Sequence, residues 1–349
     1  MHAATIHRVA GDGPGVVCLH ANPGTGAQWQ TLAERLLPDW HVVVPGTYGA
    51  TRAPPRPSEP APTLAEALEG LEPAFAAAGD RFHLVGHSWG GALALRAALA
   101  YPERVESVAV YEPALFGLAR EADPGNPDLE ALADVVHRGA QAVARGDREG
   151  AARSFIDFWK HPGAFDAMAP ARRAQILGTI ECVGSWWRTL SEDPTPLSAF
   201  AGLTVPVLVM TGRDTRAAAR CVAEALVAAV PGAQVVRFAG LGHMGPLTHP
   251  ERVLAVIEGF LSTRRARSAL ESARRPSDLS GLAGRSELSD PGELSLAARC
   301  ALDAASAEDG SLFRCGARRP GAGWPEPLLL RPSSDPDALE GRVFDWPPV

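Results

Sequence analysis

The chain has 349 residues, 46% of them hydrophobic, with a net charge of −7 and a sequence pI of about 5.8. That length is more than one compact domain needs, and the acidic balance gives no electrostatic footing for nucleic acid or an anionic membrane. Five scattered cysteines (Cys18, Cys182, Cys221, Cys300 and Cys315) form no C-x-x-C pair, so neither a zinc site nor a disulfide framework is indicated. The first eight residues hold no apolar leader and no run is long enough to span a bilayer, so a soluble cytoplasmic protein is expected.

Residues 16–19 read as a short apolar strand running into the turn-rich loop His20-Ala21-Asn22-Pro23-Gly24. Trp29, Leu32, Ala33, Leu36 and Leu37 recur at helical spacing, predicting a helix over 27–37. Residues 41–44 predict a second buried strand, and the proline-rich stretch 54–62 a surface loop. Thr63 with Glu66 forms a capping-box pattern opening a helix that runs to about residue 78. A strand ending at Val85, a helix over 92–101 and a strand over 105–111 follow. From 116 to 203 the strand rhythm stops and helices are expected, for example over 129–145, 149–159 and 171–190. The rhythm then resumes with a strand at 205–211, a helix at 217–229, a strand at 234–238 and a last helix over 250–262. Alternating short apolar strands and amphipathic helices predict a mostly parallel sheet covered on both faces. In such sheets active sites lie beyond the carboxyl ends of the strands.

The stretch Phe82-His-Leu-Val-Gly-His-Ser-Trp-Gly-Gly91 organises the rest. It reads as strand, sharp turn and helix, with Gly86 to Gly90 fitting G-x-S-x-G and Ser88 at the tip. Side chains two residues before or after a serine so strained would collide, which explains the glycines. The helix start directs its N–H groups at the serine, and that of Trp89 can hold an oxyanion. A serine hydroxyl is a poor nucleophile at neutral pH and needs a base, and the base needs a carboxylate to fix its tautomer. His243, in the glycine-rich loop after the last strand, is the candidate base.

Together, Gly-His-Ser-Trp-Gly-Gly, the early His-Ala-Asn-Pro-Gly and the late Gly-Leu-Gly-His-Met-Gly resemble the alpha/beta-hydrolase family over about residues 5–263. The resemblance implies an eight-stranded, mostly parallel core sheet flanked by helices, an inserted helical cap, and a serine–acid–histidine triad in that chain order. It assigns 1–116 and 204–263 to the core and 117–203 to the cap. The family's usual acid follows the strand after the cap as Gly-x-x-Asp; here Gly212-Arg213-Asp214-Thr215 puts the aspartate one place early, with Thr215 in the third position. The family's other position is the end of the strand after the elbow helix, where Glu112 stands. Both carboxylates remain candidates. The second oxyanion donor implied is Asn22, with Ala21 where the family has glycine. His20 is read as bracing that loop and His87 as a packing residue pointing off the active face. Phe116, Trp159, Trp186, Trp187 and Met244 are candidate walls of an apolar pocket between cap and sheet.

The expected function is cleavage of a small to medium carboxylic ester or lactone, with no metal or organic cofactor. Carbon–carbon hydrolysis, acyl transfer or perhydrolysis could use the same triad, and a non-catalytic binding protein is the alternative outside enzymes. Serine at the elbow argues against alkyl-ester chemistry, which needs a carboxylate there. Residues 264–349, rich in Arg, Ser, Pro, Gly and Asp, read as a disordered or weakly folded tail.

Overall fold

The structure, a computed structural model, describes residues 6–47 and 62–274. The proline-rich loop lies outside these residues except for Pro62, as does the tail beyond Arg274.

The short apolar runs become the strands β2 (Gly15–Leu19), β3 (His41–Pro45), β4 (Phe82–His87), β5 (Val105–Tyr111), β6 (Val207–Gly212) and β7 (Gln234–Phe238). A strand at Ile6–Ala10, β1, was not anticipated; His7 and Arg8 break its apolar character. It is an edge strand, antiparallel to β3, and edge strands tolerate polar residues. The order is β1-β3-β2-β4-β5-β6-β7, with every pair after the first parallel. The described residues thus supply seven strands rather than the eight that the resemblance implies.

Alternation along each strand feeds two cores. Val16 and Cys18 of β2 face one side with Val42, Val44, Leu208 and Met210. That side is closed by a first helical stretch, Gly26–Trp29 and Gln30–Leu36, and by the last helix, Pro250–Arg274. Val17 and Leu19 face the other side with Leu84, Val108, Val110 and Val209, under Trp89–Ala100 and Ala217–Ala229. Residues between β5 and β6 form the helices Phe116–Ala122, Pro127–Ala144, Arg148–Trp159, Pro170–Leu177 and Val183–Ser191, with no strand.

Three helix boundaries differ from the sequence reading, each for a local reason. The Thr63 capping box forms, but the helix stops at Glu69 before Gly70 and restarts as Glu72–Ala78, with Pro73 in its first turn. The stretch 171–190 is broken at Gly178. The last helix overruns residue 262 to Arg274, because nothing from Phe260 to Arg275 is glycine or proline and Arg, Ala and Leu are good helix formers. Arg265 ties the overrun to Asp39 at 2.8 Å.

Candidate active site

Three strand ends converge. Ser88 follows β4 and caps the helix Trp89–Ala100, Glu112 follows β5, and His243 lies in the loop after β7. Ser88 (φ 53°) and Glu112 (φ 41°) are the only non-glycine residues with positive φ among those described. Such backbone costs of order 1–3 kcal/mol and persists only where its surroundings over-determine it. They do at Ser88. Its N–H donates to the Tyr111 carbonyl at 3.1 Å, and its carbonyl accepts from Ala92 at 2.9 Å and Ala114 at 3.1 Å. A Cβ on Gly86 would strike the Gly90 carbonyl, and one on Gly90 would strike the Leu19 carbonyl, so the turn closes only with glycine at both places. The same crowding presses the elbow onto the end of β2, where Leu19 and His20 lead into the loop of Asn22. Trp89 opens the helix, where first-turn N–H groups point out of the helical ladder.

A continuous hydrogen-bonded chain links the three. His243 Nε2 lies 3.0 Å from Ser88 Oγ, and His243 Nδ1 lies 2.8 Å from Glu112 Oε2. With Nδ1–H donating to the carboxylate, Nε2 is left to accept from the serine hydroxyl. Glu112 is fully buried. Its Oε1 also accepts from Thr211 Oγ1 (3.0 Å) and the Gly212 N–H (2.8 Å), and its Oε2 from Thr215 Oγ1 (2.7 Å). Four donors fill the lone-pair sites of one carboxylate, so burial leaves it satisfied. Asp214 stands apart: it is exposed, its N–H donates to the Leu241 carbonyl at 2.9 Å, and its carboxylate meets no partner among the described residues. The carboxylate that the structure brings to His243 is that of Glu112.

Two struts fix the histidine loop. The Tyr111 hydroxyl donates to the Gly242 carbonyl at 2.8 Å, and His87 Nε2–H donates to the His243 carbonyl at 2.8 Å. His87 Nδ1 in turn accepts from Gln28 Nε2 at 3.0 Å, and Gln28 Oε1 accepts from the Ala21 N–H at 3.0 Å. The side chain of His87 is buried, as a packing residue's would be, but it also ties the loop of Asn22 to the backbone of His243. Burial first, then the proximity of His243, hold its imidazole well below the ordinary pKa of 6.5, so it is neutral. His20 braces its loop through Nδ1–H to the Ala21 carbonyl (2.9 Å) and Nε2 to the Thr47 N–H (3.2 Å).

Of the five candidate walls, three meet one another. The Phe116 ring lies 6.2 Å from that of Trp159 and 5.5 Å from that of Trp187. Trp159 lies 4.2 Å from the His243 imidazole at an interplanar angle of 30°. An indole face so placed excludes water and favours the imidazolium that forms on proton transfer. Met244, next to His243, is half-buried. Trp186 is buried in the apolar core beneath, as most large aromatics are.

A family model described as the alpha/beta hydrolase fold matches residues 14–250. The chain belongs to this family. It is 26% identical over 271 residues to a pimeloyl-(acyl-carrier protein) methyl ester esterase of Aeromonas hydrophila, covering 72% of this chain and 96% of that one. It is also 26% identical over 279 residues to a 2-hydroxy-6-oxo-6-phenylhexa-2,4-dienoate hydrolase of Burkholderia cepacia, covering 72% and 89%. Among solved structures, a thermophilic esterase from Thermogutta terrifontis superposes with a TM-score of 0.58 at 25% identity, over 75% of this chain and 93% of that one.

In this alpha/beta hydrolase the sequence reading missed the groups that serve the triad candidates rather than form them. Thr215 is the instructive one. It occupies the third place after Gly212, where the family's usual acid would stand, and it donates to Glu112. A hydroxyl in an acid's place, with a carboxylate at the alternative position, was a signal already in the sequence. Gln28 carried no such mark; only the fold brings it to His87, 59 residues away.

Proposed function

We propose that this alpha/beta hydrolase is a serine hydrolase that cleaves a small to medium carboxylic ester or lactone through an acyl-enzyme on Ser88. The observation that carries the reading is the unbroken chain from Ser88 Oγ through His243 to Glu112. Ser88 Oγ attacks the carbonyl carbon while His243 Nε2 takes its proton, and Glu112 stabilises the imidazolium. The N–H groups of Asn22 and Trp89 receive the developing oxyanion. His243 then protonates the leaving alcohol, and a water deprotonated by the same imidazole releases the acid.

The helical segment 117–203 serves in this reading as a cap over a core of 1–116 and 204–263. Its Trp159 and Trp187, with Phe116, line the acyl pocket and suit an uncharged chain or ring against their faces. A second reading, hydrolysis of a carbon–carbon bond, is favoured by the similarity to the dienoate hydrolase and would use the same three residues. No described helix is long and apolar enough to cross a membrane. Cys18, Cys182 and Cys221 are free thiols, which suits the reducing cytoplasm proposed as its location.

The test is hydrolysis of p-nitrophenyl esters from acetate to decanoate by wild type and Ser88→Ala, with fluorophosphonate labelling of both. Turnover in wild type that falls at least about 10³-fold in the variant, with labelling at Ser88 alone, is expected. Turnover retained by Ser88→Ala overturns the nucleophile. Labelling of Ser88 without ester turnover points to the carbon–carbon reading.

A further inference from the structure

Arg172 is the third residue of the helix Pro170–Leu177, in the segment proposed as the cap. Its guanidinium is half-buried and reaches across to the loop after β2. Nη2 donates to the Pro23 carbonyl at 3.4 Å, and Nη1 to Gln175 Oε1 of its own helix. Among the described residues no carboxylate pairs with it. Other arginines do have carboxylate partners: Arg148 with Glu181, Arg153 with Asp166 at 2.8 Å, Arg216 with Asp128 at 3.5 Å.

A guanidinium remains charged, and taking it out of water without a counter-charge is costly. Burial pushes the pKa of Arg172 down, and no neighbouring carboxylate offsets the effect. The bond to Pro23 is long and made to a neutral carbonyl, so an anion would displace it with little loss. Position supplies the rest of the argument. Pro23 directly follows Asn22, so the carbonyl that Arg172 touches belongs to the residue next to the proposed oxyanion donor.

We propose that Arg172 binds a free carboxylate carried by the substrate. The substrate class is then a short half-ester of a dicarboxylic acid, or a lactone bearing a carboxylate, with the scissile carbonyl at Ser88 and the anion at the guanidinium fork. This rests on the serine-hydrolase reading for the position of the scissile carbonyl, but the carboxylate site is defined by Arg172 alone. Nothing is transferred at Arg172; it is a binding residue, matching a planar carboxylate with two parallel N–H donors.

The experiment compares p-nitrophenyl hydrogen glutarate with p-nitrophenyl valerate, which share chain length and differ in the terminal carboxylate. The full-length chain, Arg172→Gln and Arg172→Lys are assayed. The ratio of kcat/KM for the glutarate to that for the valerate is expected to exceed one in wild type. It should fall at least about tenfold in Arg172→Gln and less in Arg172→Lys, which keeps charge but loses the fork. A ratio below one in wild type, or one that neither variant moves, overturns the proposal. A separate arm tests binding alone: free glutarate should raise the unfolding temperature of wild type and not that of Arg172→Gln. If Ser88 proves unreactive and no ester is cleaved, that arm decides. A shift confined to wild type keeps the carboxylate site while the hydrolase reading fails, and no shift in wild type overturns both.

Discussion

A serine, a histidine and a glutamate meet near each end of the strand pair β4 and β5. At the carboxyl end, Ser88, His243 and Glu112 form the chain described above. Toward the amino end, Ser107 Oγ lies 2.7 Å from His83 Nδ1, and His83 Nε2 lies 3.2 Å from Glu106 Oε2. The residue types match and the surroundings do not. Ser107 sits within β5, directly opposite His83 and just past a register shift at Glu106, fully buried and without positive φ. No helix begins beside it, so no row of outward N–H groups is aimed at its hydroxyl. Glu106 is partly open to water and is shared with Arg81 at 2.9 Å. The His83 hydrogen bond, ahead of that arginine, holds its carboxyl below the usual range. What separates the two ends is backbone: positive φ at Ser88 and Glu112, a helix start at Trp89, and a fully satisfied buried acid.

The comparison is broken most severely at the acids. Glu112→Gln removes the charge that steadies the His243 imidazolium and leaves an amide among four donors. A loss of roughly 10²–10⁴ in kcat on a p-nitrophenyl ester is expected. Glu106→Gln should leave kcat near wild type, because its partner His83 touches no reacting atom. Steady-state kinetics on the two variants decide the matter. Equal losses would mean that the amino-end cluster feeds the site, and a larger loss from Asp214→Asn than from Glu112→Gln would return the acid role to Asp214.

The legible parts of the fold were those whose signal is local. Residues 217–229 and 234–238 read directly as a helix and a strand, because apolar spacing and flanking turn residues agree there. The strand Ile6–Ala10 was hidden because an edge strand need not be apolar, and the helical overrun to Arg274 because composition outweighed propensity in the reading. Ser88 and His243 were legible from their glycine-rich settings. The choice between Glu112 and Asp214 was only half legible: Thr215 in the third place after Gly212 pointed to Glu112, but both carboxylates follow parallel strands and a sequence gives no lateral distance. Arg172 was silent for the same reason: an unpaired cation is recognised only when its neighbours in space are known.

A smaller effect is expected at His87, which has no counterpart at the amino end. Its pKa in the folded protein is well below 6.5, so between that depressed value and 6.5 the unfolded chain binds a proton that the folded chain does not. Lowering the pH through 6.5 therefore favours unfolding, and the contribution is fully present only above it. Replacing His87 with Gln should flatten the acid limb of unfolding temperature against pH below 6.5. At pH 7.5 it should also lower kcat by about three- to tenfold, as the strut to the His243 carbonyl loosens. Limbs of equal slope in wild type and variant would show that His87 does not titrate on unfolding.

The smallest effect belongs to Ser107→Ala. Its hydroxyl has one recorded partner, His83, and its truncation opens a space of a single oxygen. Neutral hydrogen bonds contribute about 0.5–1.5 kcal/mol net, and His83 keeps its contact to Glu106. Urea unfolding should therefore place the variant about 1 kcal/mol below wild type, with kcat changed less than about twofold. The same hydroxyl-to-methyl change at Ser88 is expected to cost at least about 10³-fold in turnover. That asymmetry is the sharpest form of the comparison, because the two variants delete the same atom from the same kind of serine–histidine pair. Were Ser107→Ala to lower kcat tenfold at unchanged stability, strained backbone and helix N–H groups would no longer account for the difference between the two ends. A route along β5 from Ser107 to Glu112 would then have to be sought.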